Sequence, residues 1–259
     1  MNKNEEDKIR NAYVKLAAQG YNIPGVHIFD EAIVKDRAIV KGSARLTEAS
    51  MAYGDAEISG NAHVQDQAEI GGQALVTENA IVSGTSKIHG RAQVYQNARI
   101  YGGIIAGDAI IRGNAQVAGH ALVSGGVIEG SASIGMKVWV RGDVTIKGRA
   151  TVTGANISGQ ATIQDNASIT GGDVSGSARI EGDATVSQHG RVYGGAVVSG
   201  KAWVDGNAQV YGKAFVLGTA YLTGKADISG TAVILGGVWD GSEGPITEGT
   251  WNSPTERIK

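Results

Sequence analysis

The chain contains no cysteine. That excludes a disulfide scaffold, an iron–sulfur site and a thiol nucleophile, and it fits a reducing compartment. Proline is scarce, at three residues, and aromatic residues make up only 5% of the chain. Charge is nearly balanced, with 23 Lys and Arg against 25 Asp and Glu for a formal net charge of −2. That gives neither nucleic acid nor an anionic membrane an electrostatic reason to bind. No run of about 18 apolar residues offers a membrane span. The opening MNKNEEDKIRNAYVKL has no apolar stretch suited to a signal peptide, so a cytoplasmic location is expected. Glycine, by contrast, is abundant: 40 in 259 residues, about twice average usage. Collagen would need a glycine at every third place and far more proline. A hydrophobic content of 42% opposes disorder.

From about Ala32 the chain reads as six-residue words, among them NAHVQD, QAEIGG, QALVTE, KAWVDG and NAQVYG. Each word centres on one anchor, almost always aliphatic, in a series that begins Val34, Val40, Leu46 and ends Leu222, Ile228, Ile234. The 35 anchors are separated by 30 intervals of six residues and four of five, with no insertion. Two places before the anchor stands Ala in 27 words, and two places after it stands Gly in 27. Alternation at −2, 0 and +2 is the strand period, so the anchors point inward and their immediate neighbours point outward. Each short strand ends at a Gly, or at an acid such as Asp36, Asp66 or Asp165, that can take a positive φ and turn a corner. Three words make one coil. Parallel stacking at about 4.8 Å then gives about 11–12 coils and a rod on the order of 55 Å long.

These words resemble the hexapeptide repeat of left-handed parallel β-helix proteins, although the glycine here falls one place later than in the commonest form. The resemblance spans roughly residues 30–236. It implies an all-β, single-stranded left-handed parallel β-helix; the bactofilin-like polymer-forming proteins, right-handed with similarly short strands, are the competing family. Residues 1–24 are expected to form a cap, with an amphipathic helix over 4–19 that carries Ile9, Ala12, Tyr13 and Leu16 on one stripe. The β-helix is expected over 25–236 and an irregular C-terminal cap over 237–259. There Trp239, Ile246 and Trp251 are available to cover the last coil, and Pro245 to block a further strand.

Many proteins of the resembling family are trimeric acyltransferases that hold acyl-coenzyme A between neighbouring prisms and use a histidine as general base. Their acceptor site usually involves a loop thrown out of the coils, and this sequence has none. Of its five histidines, His27 belongs to the entrance and His63 and His89 project outward. His120 and His189 fall on one edge, which also carries three of the four five-residue intervals. His120 is the one catalytic candidate, with Asp108 or Glu129 to orient it, and acetyl-coenzyme A would be the cofactor on that reading alone. No histidine pair has metal spacing, so no metal is expected. The paired glycines of GGIIAG and GGDVSG open no helix and read as corners rather than a phosphate loop. Ser133, Thr151, Ser168 and Thr185 stack on one face like an ice-binding ladder, but Arg45, Arg99 and Trp203 interrupt that face.

The apolar residues that must point outward carry more information. Ile104, Leu122 and Trp139 fall on one face, with Ile110 and Val127 on the next, and form an expected homotrimer seam. A second patch combines Val197, Trp203, Phe215, Tyr221 and Val233. The expected function is therefore a non-catalytic, self-associating rod with a structural or binding role. Uncharacterised hexapeptide proteins of bacteria and phages, often labelled acyltransferase-like on fold alone, are the nearest resemblance, so a virion-associated protein is an alternative to a cytoplasmic one. A coenzyme A-dependent acyltransferase with an inter-subunit site, and an oligomer that captures a small molecule such as a nucleotide, are the other readings; a small-molecule or protein ligand is thus a further expected partner.

Overall fold

The computed structural model describes residues 27–258. The helix expected over 4–19, and with it the cap over 1–24, lies outside them. Among the described residues there is no helix, and so none long and apolar enough to cross a membrane. Instead, 39 short strands wind a three-faced parallel β-solenoid of about 12 turns. The first face stacks 13 strands, from His27–Ile28 to Val238–Trp239. The second stacks 12, from Ile33–Val34 to Asp227–Ile228. The third stacks 14, from Ile39–Val40 to Glu256–Ile258. Within a face each residue sits over its counterpart one turn earlier, as in the column Arg45, His63, Ile81, Arg99, Gln116.

The anchors lie inside. Val34, at the entrance, is half-buried, and the 34 that follow it are buried. Their peptide groups bond upward and downward at once: Thr77 N–H donates to Val94 O, and Tyr95 N–H to Ile111 O. A core one anchor and one methyl wide per strand is thus walled by satisfied backbone. The corner column behaves as its composition requires. Asp36, Asp66 and Asp165 adopt φ of 60°, 59° and 62°. Each carboxylate also accepts the backbone N–H of the corner one turn on, Gly54, Gly84 and Gly182 respectively. At the corner between third and first faces, Asn61, Asn79, Asn97 and Asn114 form an amide ladder with bonds of 3.1–3.2 Å.

Two serines break the alanine lining, with opposite consequences. Ser50 is fully buried and its hydroxyl has no partner. Ser86 donates to Ser83 O and accepts from Gly102 N–H. Ser50→Ala is therefore expected to raise stability by about 1 kcal/mol and Ser86→Ala to lower it by about 1–3 kcal/mol. Urea midpoints at unchanged m-value check both.

At the C-terminal end the repeat signature stops at Ile234, but the winding does not. Trp239 takes the next anchor place five residues on, over Leu222, and is buried, its indole N–H donating to Gly236 O at 2.8 Å. Pro245 does not block a further strand, contrary to expectation. The pairing donor is Ile246, one residue later, whose N–H bonds Asp227 O in a parallel bridge with Ile228. Proline's missing N–H falls where none is needed. Residues 237–259, expected to be irregular, thus contain another turn, and Thr250–Ser253 continues the third face. Glu256–Ile258 then pairs antiparallel with it and ends the stack. Trp239 and Trp251 meet edge-to-face at 6.1 Å, and Ile246 packs on the core beside them, so these three cover the end.

Candidate functional site

Three surface features rise above the regular prism. The first is the patch read from outward parity. Ile104, Leu122 and Trp139 are successive register neighbours on the second face. Ile110 and Val127 pair in the same way on the third. Trp139 is 43% exposed, with the Arg141 guanidinium over its ring at 4.8 Å. Polar neighbours bound the columns: Lys87 and Asn156 on the second face, Gln93 and Thr145 on the third.

The second patch lies near the C-terminal end. Val197, Phe215 and Val233 stack on the third face, and Trp203, Tyr221 and Val238 on the first. Val238 is 58% exposed and escaped the sequence reading because it follows the last regular word. Trp203 is held rather than loose. Its indole donates to Ser187 Oγ at 2.7 Å, and Ser187 donates to the buried Asp205 carboxylate, also at 2.7 Å. Asp205 further accepts from Gln188 and from the Tyr221 hydroxyl. The Ser133, Thr151, Ser168, Thr185 ladder is in register on this face and runs directly into Trp203.

Among the described side chains, no histidine is paired with an orienting carboxylate. His120 and His189 are exposed at the corner between first and second faces, and His89 is exposed on the second face. His63 lies 3.4 Å from Thr47 Oγ1. Asp108 is taken by Arg91, whose Nε and Nη2 donate to it at 2.7 and 2.9 Å. That pairing holds the Asp108 carboxyl below its ordinary range. Glu129 accepts from Arg112. Neither carboxylate serves His120. Among the described residues, no group of three or more His, Asp and Glu could hold a metal ion.

The third feature is a notch, and it arises from a missing residue. A six-residue corner carries one outward side chain three places after its anchor; a five-residue corner does not. At the corner between first and second faces that side chain is lacking after Val152 and again after Ile169, in consecutive turns. The result is a recess of about 500 Å³ that includes Gly154 and Gly172, with Asn156, Asp173 and Arg191 along one side and Gln188, His189 and Asn207 at the rim. It continues as a shallower recess of about 370 Å³ past Ser158 and Ser175 to Tyr193. The signal was present in the spacing, in two successive short words on one edge, but only the edge was noticed.

Comparison with known proteins gives no match. No family model, curated protein or solved structure corresponds to this chain.

Within the notch, charge is balanced locally. Asp173 accepts from Asn156 Nδ2 at 2.8 Å and lies 3.7 Å from Arg191 Nε. Tyr193 stacks flat on Tyr211, 4.8 Å apart and 2° from parallel. Burial first, then the neighbouring Tyr211 and Asp227, pushes the Tyr193 phenol up from its ordinary value, so it remains a neutral donor near pH 7. Its hydroxyl donates to Gln209 Oε1 at 3.4 Å.

Proposed function

We propose that this chain is a left-handed hexapeptide-repeat β-helix acting as a non-catalytic rod that associates with copies of itself, in the cytoplasm or in a virion. The observation that carries the reading is the contiguous apolar seam. Solvated strands have little reason to place Ile104, Leu122 and Trp139 in consecutive register positions with Ile110 and Val127 beside them. Trp139 supplies an aromatic anchor for such an interface. Cyclic packing of three prisms around a shared axis is the habit of the family that the repeat resembles, so the proposed assembly is a homotrimer, with a C2 dimer as the alternative.

The test is Leu122→Glu combined with Trp139→Glu, followed by light scattering and circular dichroism. A trimeric wild type and a β-rich monomeric variant are the expected pair. A monomeric wild type would end the reading. A variant that stays trimeric would move the seam to Phe215 and Trp203, where the same double charge substitution is then expected to dissociate it. The non-catalytic part has its own check: acetyl-coenzyme A with amine and hydroxyl acceptors should give no transfer above the protein-free rate. Transfer abolished by His120→Ala, at unchanged melting temperature, would replace the rod with an acyltransferase.

A further inference from the structure

The notch between the first and second faces has a chemistry distinct from that of the apolar patches. Its polar groups come largely from amides, and much of their hydrogen-bonding capacity is unspent. Asn156 gives its Nδ2 to Asp173 but keeps its carbonyl oxygen; Gln209 accepts from Tyr193 but keeps its amide N–H groups. Gln188 donates to Asp205 and keeps its oxygen, while the Asn207 side chain has no partner among the described residues. An anionic ligand would call for donors alone and a cation for acceptors alone. Here both kinds alternate along one recess, and the one arginine stands beside the one carboxylate. Groups that donate and accept at once, namely hydroxyls, match this set.

Tyr193 adds the second requirement. Tyr211 covers one face of its ring. On the other side Ser175 and Ser158 stand one and two turns back in the same column, and the recess opens over them beside Asn156, Asp173 and Arg191. An aromatic face is electron-rich, and it accepts the weakly positive C–H groups that one side of a sugar ring presents.

We infer that the notch binds a neutral saccharide, with one sugar ring seated on the open face of Tyr193, where Asn156 and Gln209 read its hydroxyls, and an adjoining ring reaching Asn207 in the larger recess. The site lies within one chain, so it stands whether or not the rod self-associates.

Two substitutions separate binding from folding. Gly154 has φ +61°, and a Cβ added there would meet nothing nearer than Thr170 O at 3.7 Å. Gln96 and Gln188 already hold φ of 61° and 53° at the equivalent corner position. Gly154→Gln should therefore fold and fill the notch, while Tyr193→Ala removes the platform. Labelled full-length chain would be applied to a glycan microarray carrying neutral, sialylated and sulfated glycans, and the strongest neutral glycan then titrated calorimetrically. The expected result is binding confined to neutral glycans. It should weaken by about tenfold or more in each variant, roughly 1.4 kcal/mol or more. Tyr53→Ala, at the far end of the same face, should bind as the wild type does. A silent array, binding confined to acidic glycans, or affinity unchanged in both variants at wild-type circular dichroism would overturn the assignment.

Discussion

Val117→Asp is expected to cost several kcal/mol and, in a rod of this kind, to unravel the turns around it. Val117 is an anchor with no exposed surface, enclosed by an interior of Ala, Ile and Val. A carboxylate there has no partner among the apolar side chains that enclose it, so it is buried unpaired or forces its strand out of register. Gln116, one residue earlier, points to solvent on the same strand. Gln116→Asp is expected to stay within about 0.5 kcal/mol of wild type. Denaturant titration of the two variants reads the difference directly. Equal damage from both would mean that the inward and outward columns have been assigned wrongly.

Gly172→Ala should be nearly as severe, for a different reason. Gly172 turns one of the shortened corners at φ +79°, and an added Cβ would collide with the Gly190 carbonyl oxygen of the next turn. Backbone cannot swing aside as a side chain can, because the neighbouring turn is fixed by its own ladder. The expected cost is the left-handed strain of about 1–2 kcal/mol plus the displacement of two paired turns, some 3 kcal/mol or more in all. Gly244→Ala is the control. It has nearly the same φ, +75°, but nothing lies within 4 Å of the added carbon, so only the strain remains. Melting temperatures of the two variants measure the contrast. Equal shifts would show that corner packing contributes nothing beyond dihedral strain.

The faces, corners and inward column were legible because every turn repeats the same statement. A frame of six-residue words, shortened to five at four places and never lengthened from Val34 to Ile234, leaves no other way to bury the anchors. Outward apolar positions were legible for the same reason, since parity decides them. Where the frame is broken, reading failed. Trp239 carries the winding into another turn as an aromatic anchor, after an aliphatic series had set the pattern. Pro245 looked like a stop because the residue that needed a free N–H was its successor. The notch was missed because it is made by residues that are not there, after Val152 and Ile169. The Ser187, Asp205, Trp203 network spans residues 16 and 18 positions apart, so it emerges only when the turns are laid over one another.

Spin-label distances test the central claim, a straight stack of equally spaced parallel turns. The absence of native cysteine lets two labels be placed cleanly. Arg45, Gln116, Thr151 and Thr185 occupy one column of the first face, four, six and eight register steps apart from Arg45. Double electron–electron resonance on the three cysteine pairs that include position 45, diluted with unlabelled chain, should give distances near 19, 29 and 38 Å, about 4.8 Å per step. Distances that fail to grow in proportion to the step count, or a 45–185 pair closer than about 25 Å, would contradict the solenoid itself.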